Sequence, residues 1–246
     1  VALASLNMCG SRVQEVCTDT EIDYLIEARM GDFMPAAKGG LVNTVVDKVK
    51  KMVPAYHLPR AVSFKRALRM GAGLGVTRHP VTLDDVAVLQ YTGGTTGLAK
   101  GAMLTHGNLV ANMQQVRACM SQLGDDGHPL IKEGQEVMIA PLPLYHIYAF
   151  TANCMCMMVS GNHNVLITNP RDIGGFIKEL KQWKFSGLLG LNTLFVALMD
   201  HPDFKTLDFS HLKITNSGGT ALVKATAERW KALTGCAIGE GYGLTE

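Results

Sequence analysis

Charged and aromatic residues are both scarce in this sequence, and neither sign of charge dominates. Only 18% of the 246 residues are charged and 7% are aromatic, and 23 Lys and Arg oppose 21 Asp and Glu. The net charge of +2 gives no electrostatic footprint for nucleic acid, so we expect no such partner. Hydrophobic residues make up 47% of the chain. This proportion excludes a disordered chain and predicts a globular protein with a sizeable core.

Cysteine is also sparse, and its spacing excludes two kinds of site. The six cysteines are too few for a disulfide framework, and no two of them form a C-x-x-C pair typical of redox or zinc sites. We therefore expect a reducing compartment and a cytoplasmic protein. The chain begins at Val1 without a signal-peptide pattern.

One long stretch, residues 137–170, lacks Asp, Glu, Lys and Arg altogether. A membrane-spanning helix needs about 20 consecutive apolar residues. Here Pro141, Pro143 and several polar residues interrupt the run, and its best apolar helix, residues 147–159, is too short. The pattern favours a buried core helix.

From residue 86 onward, short β-branched runs alternate with helical patterns. Strands are predicted at residues 86–91, 137–140, 164–168, 185–189 and 212–215. Helices are predicted at residues 106–122, 147–159, 173–183, 192–200 and 222–234, and, less regularly, at 45–53 and 64–70. Such alternation predicts an α/β fold of two lobes, with mainly parallel sheets flanked by helices. Ligands of such sheets bind beyond the carboxyl ends of the strands.

The lobes are predicted to be joined by a linker over residues 122–135, where Gly, Asp and Pro cluster. The first lobe would span residues 1–121 and the second residues 136–246. Between residues 48 and 83 there are eight Lys and Arg and no Asp or Glu. This segment is a candidate for peripheral contact with anionic lipid headgroups, and the alternative is an ordinary solvated basic face.

The sharpest motif is the run YTGGTTGLAKG at residues 91–101. Its glycines let the backbone approach a ligand closely, its threonines add hydroxyl donors, and Lys100 adds a positive charge. We therefore predict a polyphosphate cradle between a strand and a helix. The lysine spacing differs from a Walker A loop, which counts against a phosphotransferase that moves the γ-phosphate.

Three further polar segments are candidate strand ends: PLPLYHIY at residues 141–148, TNSGGT at 215–220 and GEGYGLTE at 239–246. The first two adjoin the strands predicted at 137–140 and 212–215. The prolines hold His146 near a strand end. Backbone amides of the second segment can bind an anion or a planar ring. In the third, Tyr242 offers a stacking face and Glu246 a hard carboxylate suited to Mg²⁺. Together with the cradle, they are predicted to be four strand ends of one sheet.

The motifs YTGGTTGLAKGAMLTH, PLPLYHIYA, ITNPRDI, NTLF, AERWKALTG and EGYGLTE occur in this order along the chain. In that order they resemble the adenylate-forming superfamily, and within it the bacterial long-chain fatty acyl-CoA synthetases. The resemblance covers nearly the whole chain. It implies an AMP-forming acid–thiol ligase of fatty acid and lipid metabolism that uses ATP, Mg²⁺ and CoA.

The resemblance also implies roles for individual residues. The ATP phosphates would be held by Thr92, Gly93, Gly94, Thr95, Thr96, Gly97, Lys100 and Gly101. The adenine would be framed by Gly218, Gly219, Thr220, Glu240, Gly241, Tyr242 and Gly243. Thr245 would contact the α-phosphate, Glu246 the magnesium ion, and His146 the fatty carboxylate, so that Lys100, His146 and Thr245 form the catalytic set. Acyl-pocket walls would come from Tyr145, His146, Ile147, Tyr148, Gly190, Asn192 and Thr193.

Members of this family are considerably longer than 246 residues, so we expect the chain to be an internal, truncated piece of the large domain, at most a weak nucleotide binder. Alternatives remain open. One is a non-catalytic fatty-acid or nucleotide-binding module, and another is an AMP-forming ligase for aryl or medium-chain acids.

Overall fold

In the computed structural model, the residues described are 1–92, 100–121, 129 and 131–245. The contacts within the chain divide it into two compact units, Val1–His79 and Pro80–Glu246. Each unit contains a parallel β-sheet with helices, which confirms the predicted α/β class.

The first unit is built on three short parallel strands in the order β1-β2-β3. Its elements are β1 (Ala2–Leu6), α1 (Gly10–Val16), β2 (Tyr24–Ala28), α2 (Ala36–Thr44), β3 (Ala61–Ser63) and α3 (Phe64–Gly71). Helix α3 confirms the helix predicted at 64–70. Helix α2 starts well before the helix predicted at 45–53, and a π-helical turn, Val45–Val49, continues it. None of these strands was predicted.

The second unit opens with a hairpin and a helix. Strand β4 (Val86–Thr92) pairs antiparallel with β5 (Lys100–Thr105), and α4 (His106–Met120) follows directly. Thr105 and Asn108 form a reciprocal cap at the start of α4. Strand β4 confirms the strand predicted at 86–91, but its predicted burial is wrong, since Val86, Leu89 and Tyr91 are exposed. A two-stranded hairpin leaves alternate side chains of each strand facing outward.

A five-stranded parallel sheet in the order β10-β9-β8-β6-β7 forms the rest of this unit. Its strands are β6 (Val137–Ala140), β7 (His163–Leu166), β8 (Gly187–Gly190), β9 (Ile214–Ser217) and β10 (Ile238–Glu240). The intervening helices are α5 (Ile147–Ala149), α6 (Ile173–Leu180), α7 (Asn192–Asp200) and α8 (Lys224–Thr234). Strands β8 and β9 begin two residues later than predicted, and β10 was not predicted.

Helix caps fix several of these boundaries. The Asp172 carboxylate accepts a hydrogen bond from the Gly175 N–H at 3.0 Å, as expected for the cap of α6. Gly235 ends α8 with φ +78°, in the left-handed region that favours glycine.

The two faces of the five-stranded sheet bury different cores. Successive residues of a strand point to opposite faces of the sheet, so Leu188 and Leu189 enter different cores. One face packs on α6, α7 and α8 through a larger core that includes the aromatic side chains Phe176, Phe185, Phe195, Phe204 and Trp230. The other face packs on a continuation of α5, the π-helical segment Phe150–Met157, through the smaller, sulfur-containing cluster Met138, Ala152, Cys156, Met157 and Leu189.

The segment Phe150–Met157 confirms the predicted buried helix, since most of its residues are buried. No helix within the described residues is both long and apolar enough to cross a bilayer. Met113, Val116 and Met120 of α4 are partly buried and pack against the sulfur-containing cluster, so one side of this helix contacts the core.

The observed division between the units differs from the predicted one. It falls between His79 and Pro80, whereas the predicted linker spans residues 122–135. Helix α4 packs against the segment Phe150–Met157, which lies beyond that linker in sequence, and so belongs to the same unit. Residues 122–128 and 130 lie outside the described residues, so the linker itself stays a prediction.

Candidate active site

The carboxyl ends of β6, β8, β9 and β10 lie at one edge of the five-stranded sheet because these strands run parallel. The segments that leave this edge, called the carboxyl edge below, begin at Pro141, Leu191, Gly218 and Gly241. The edge therefore gathers three of the four predicted motifs: the one around His146, the TNSGGT segment and the segment after β10.

The fourth motif, the polyphosphate cradle, does not belong to this sheet. It joins β4 to β5 in a separate two-stranded sheet, so the predictions that it precedes a helix and shares the sheet of the other motifs are wrong. Its residues Gly93, Gly94, Thr95, Thr96 and Gly97 lie outside the described residues. Thr92 and Lys100 are paired across the two strands, and the Thr92 hydroxyl donates to the Lys100 carbonyl at 3.4 Å. Gly101 follows in β5.

His146 occupies the position predicted for it, just beyond the end of β6. Its backbone N–H donates to the Pro143 carbonyl at 2.9 Å, which closes a turn. Its Nδ1 accepts a hydrogen bond from the Tyr148 N–H at 3.3 Å, so a neutral imidazole carries its proton on Nε2. The side chain is exposed and starts helix α5. A pre-oriented imidazole of this kind can donate from Nε2 to a carboxylate oxygen.

Tyr145 and Tyr148, both predicted as acyl-pocket walls, have contrasting surroundings. Tyr145 is 78% exposed. Tyr148 packs against the sulfur-containing cluster, and its hydroxyl donates to Asn216 Oδ1 at 2.5 Å. Burial raises the pKa of the Tyr148 phenol, so it stays protonated as a donor at neutral pH. Ile147, between them in sequence, is half-buried.

The other predicted wall residues, Gly190, Asn192 and Thr193, differ in their surroundings. Asn192 Oδ1 accepts a hydrogen bond from the Val223 N–H at 3.0 Å, just before α8. Gly190 is buried at the end of β8, where the ring of Phe195 leaves no room for a side chain. Thr193 is exposed on α7. Their roles as acyl-pocket walls stay predictions.

The two segments predicted to frame adenine lie side by side at the carboxyl edge. The Gly241 N–H donates to the Ser217 carbonyl at 2.8 Å, and the Gly218 N–H donates to the Gly190 carbonyl at 3.3 Å. These bonds extend the pairing of β8, β9 and β10 beyond the strand ends. The Glu240 carboxylate accepts from the Leu222 N–H at 3.3 Å, which ties the β10 end to the segment before α8.

Beyond these bonds the segments are open to solvent. Tyr242 is 92% exposed, which leaves both faces of its ring available for stacking. Gly219, Thr220 and Gly243 are exposed, and Thr245 is half-buried. Glu246, the predicted magnesium ligand, lies outside the described residues. Within the described ranges, no three His, Cys, Asp or Glu side chains form a group that could hold a metal ion.

Sequence reasoning missed two polar residues of this edge, Asn216 and Ser217. Both lie inside the quoted motif TNSGGT, but neither was assigned a role. Asn216 Oδ1 accepts a hydrogen bond from the Tyr148 hydroxyl. Ser217 is fully buried, and its hydroxyl oxygen has no hydrogen-bond partner among the residues that the structure describes. Side chains alternate between the two faces along a strand. This alternation could have placed Asn216 and Ser217 on opposite sides of the sheet from the sequence alone.

Known proteins are similar to this chain in sequence and in fold. The chain is 47% identical over 234 residues to a curated long-chain-fatty-acid–CoA ligase of Salmonella typhimurium, covering 95% of this chain and 40% of that protein. It is also 47% identical over 245 residues to the ligase of the same name from Escherichia coli O157:H7, covering 100% of this chain and 42% of that protein. The chain thus spans about two fifths of the length of these relatives.

A solved structure of an anthranilate CoA ligase in complex with anthranoyl-AMP superposes with a TM-score of 0.69. It is 18% identical, and the match covers 96% of this chain and 44% of that one, which establishes a shared fold. The family model described as AMP-binding enzyme matches residues 4–246. With this match over almost every residue, the chain belongs to the AMP-binding enzyme family.

Proposed function

We propose that this chain supplies the nucleotide- and acid-binding core of an ATP-dependent long-chain fatty acid–CoA ligase. The observation that carries the proposal is the carboxyl edge, where His146, the Gly218 segment and the segment after Glu240 meet at one end of a parallel sheet. The names of the relatives that match almost the whole chain point to the same reaction.

The reaction has two steps. A fatty carboxylate oxygen attacks the α-phosphorus of ATP, and pyrophosphate leaves, which gives an acyl-AMP. The CoA thiol then loses its proton and attacks the acyl carbonyl, and AMP leaves with the bonding electrons. Neither step requires a protein nucleophile, so the protein aligns the reactants and stabilises developing negative charge.

Each motif has a part in this scheme. Thr92, Lys100 and the residues between them hold the β- and γ-phosphates, and the exposed Tyr242 stacks on adenine. Thr245 donates its hydroxyl to the α-phosphate. His146 donates from Nε2 to the fatty carboxylate, which keeps that oxygen directed at phosphorus. Hard oxygen donors such as the Thr245 hydroxyl and the Glu246 carboxylate suit Mg²⁺, which neutralises phosphate charge when bound.

The acyl chain would lie along the sulfur-containing face of the sheet. Met157 and Cys156 are buried there, and burial raises the pKa of the Cys156 thiol to about 11, so it is an inert apolar group. Met158 follows and is 70% exposed. Flexible methionine side chains can adapt to a long aliphatic ligand.

The test uses a polypeptide of the relatives' length that carries these 246 residues, called the ligase-length polypeptide below. With ATP, Mg²⁺, CoA and palmitate, we expect AMP and palmitoyl-CoA to form in equal amounts. Release of ADP, or binding of palmitate without AMP formation, would favour a phosphotransferase or a carrier. Comparing octanoate, palmitate and an aryl acid then identifies the substrate class.

A lysine substitution tests the cradle directly. Lys100→Ala should lower acyl-AMP formation by at least tenfold, because a positive charge beside the phosphates is lost. The matched control is Lys178→Ala, an exposed lysine on α6. Equal activities of the two variants would remove Lys100 from the mechanism.

We also propose that the basic segment 48–83 makes peripheral contact with a membrane, in a cytoplasmic protein. Helix α3 presents exposed cations, Arg66 and Arg69, beside exposed apolar side chains, Leu68 and Met70. The combination suits an interface with anionic headgroups.

Co-sedimentation of the chain with lipid vesicles tests this contact. The chain should sediment with phosphatidylglycerol vesicles but not with phosphatidylcholine vesicles. The double charge reversal Arg66→Glu and Arg69→Glu should abolish sedimentation, whereas the control pair Lys178→Glu and Lys205→Glu should not. Equal sedimentation with both lipids would contradict the proposal.

A further inference from the structure

Tyr148 reaches from the sulfur-containing core to the end of strand β9. Its ring packs against the cluster that contains Met138, Met157 and Leu189, and its hydroxyl donates to Asn216 Oδ1 at 2.5 Å. The backbone carbonyl of Asn216 lies 3.3 Å from the same hydroxyl. Both neighbours are acceptors, so the single phenolic proton is committed to Asn216 and is not free for a ligand.

The ring of Tyr148 also contacts the first adenine segment. A side chain at Gly218 would place its Cβ 3.1 Å from two ring atoms of Tyr148. Contacts between real Cβ atoms and their neighbours are rarely so short, so the ring sets how closely the backbone at Gly218 can approach the core.

The carboxamide of Asn216 contacts the second adenine segment in the same way. A Cβ at Gly241 would lie 3.1 Å from Asn216 Oδ1, and one at Gly239 would lie 3.4 Å from Asn216 Nδ2. The Gly241 N–H is bound to the Ser217 carbonyl, next to Asn216 in β9. The Tyr148–Asn216 pair therefore touches both segments that frame the nucleotide.

We propose that Tyr148 is a positioning residue for the nucleotide, acting through its hydrogen bond to Asn216, and not an acyl-selecting wall. The pair fixes the spacing between the Gly218 and Gly241 segments, and with it the width of the slot that receives adenine. This inference rests on the proposed function, since it assigns a role within the same site.

The experiment measures the kinetics of Tyr148→Phe in the ligase-length polypeptide. The ring remains and only the hydrogen bond is lost, which is worth about 0.5–1.5 kcal/mol, or roughly two- to tenfold. We expect the KM for ATP to rise by about this factor, while kcat and the KM for palmitate stay within about twofold. Tyr24→Phe is the matched control, since Tyr24 is an exposed tyrosine of β2 in the other unit.

A double-mutant cycle separates positioning from general weakening of the fold. Asn216→Ala should raise the KM for ATP as Tyr148→Phe does, and the double variant should be no worse than the poorer single variant. Thermal unfolding of every variant is measured alongside. If Tyr148→Phe does not fold, the KM for ATP and the KM for palmitate are measured for Asn216→Ser instead. That variant also removes the Asn216 Oδ1 acceptor of the Tyr148 hydroxyl.

Each outcome decides a different point. An unchanged KM for ATP, a KM for palmitate that rises in parallel, or additive effects in the double variant would overturn the role of Tyr148. A wild-type polypeptide that forms no acyl-AMP with any acid would overturn the proposed function instead.

Discussion

The two edges of the five-stranded sheet differ in how their polar groups are used. At the amino edge, where the strands begin, the buried polar side chains are bonded to a lysine or to backbone N–H groups. Glu136 is 2% exposed, and its carboxylate binds Lys213 Nζ at 2.8 Å and the Lys132 N–H at 2.9 Å. Asn162 accepts from two backbone N–H groups, and the Ser186 hydroxyl accepts from the Val137 N–H at 2.9 Å.

At the carboxyl edge, several polar groups are either exposed to solvent or buried without a hydrogen-bond partner in the described residues. Tyr242 and Thr220 face solvent, and the buried Ser217 hydroxyl has no partner in the described part of the chain. Buried polar groups without partners cost free energy, so a fold selected only for stability would bond or remove them. The contrast teaches that the amino edge holds the sheet together, whereas the open polar groups lie at the carboxyl edge, where the proposed function places the nucleotide.

The largest expected effect is at the amino edge, on the ion pair of Glu136. Burial by itself would raise the pKa of Glu136, but Lys213 and the Lys132 N–H hold the pKa below its ordinary value. Lys213→Met leaves a buried carboxylate without its cation, and should lower the free energy of unfolding by about 2–3 kcal/mol at pH 7. This loss is smaller than the usual cost of breaking a buried ion pair, because Lys213 is partly exposed.

The pH dependence of that loss follows from the lowered pKa. A carboxyl whose folded pKa lies below its unfolded value stabilises the fold above about pH 4.3, and that contribution disappears as pH falls through the folded pKa. The difference between wild type and Lys213→Met, measured by urea unfolding, should therefore shrink below about pH 4. A difference that is equal at pH 7 and pH 3.5 would contradict the assignment.

A smaller loss is expected from the second bonded group of the amino edge. Ser186→Ala leaves the Val137 N–H without its acceptor, and should cost about 1–3 kcal/mol of unfolding free energy. Urea unfolding at pH 7 measures it. A loss below about 0.5 kcal/mol would mean that this bond is not a significant support of the amino edge.

At the carboxyl edge, the backbone at Gly219 is the next target. Its φ of +78° lies in the left-handed region, and a Cβ there would have room beside Leu191. Gly219→Ala should therefore cost only conformational strain, about 1 kcal/mol. Gly75→Ala is the control, since a side chain there meets open space and should not lower stability. Equal unfolding midpoints of the two variants would argue against a strained turn.

The smallest expected effect is that of Ser217→Ala, the counterpart of Ser186→Ala. Removing a buried hydroxyl that has no partner within the described ranges should leave the free energy of unfolding within about 0.5 kcal/mol of wild type, or raise it. In the ligase-length polypeptide, the same variant should weaken ATP binding if the hydroxyl serves the nucleotide. A loss of stability as large as that of Ser186→Ala would remove the contrast between the edges.

Much of the fold in the second unit could be predicted from local patterns. Strand β6 was located without error because four apolar residues lie between polar segments, and α7 because its apolar spacing ends before Pro202. The strands at Ile238–Glu240 and Lys100–Thr105 could not be found. Both contain glycine and little apolar alternation, and they are strands because a neighbouring strand supplies their hydrogen bonds.

The candidate site was predictable as a set of motifs but not as an arrangement. His146, Gly218 and Glu240 were singled out because their residue types suit anion or nucleotide binding. Their hydrogen-bond partners, and those of their neighbours, could not be predicted. Tyr148 binds Asn216, which is 68 positions away in sequence, and Glu240 binds the Leu222 N–H, which is 18 positions away. Sequence spacing contains no information on which side chains meet across a sheet.

The sequence alone determined the α/β alternation, the family motifs and the residue types that could bind a nucleotide, because these depend on local periodicity and chemistry. The tertiary structure decided which strand ends share an edge, which hydroxyls are satisfied and that the cradle lies in a separate hairpin. Those outcomes depend on strand order, and strand order is set by long-range pairing and burial rather than by neighbours along the chain.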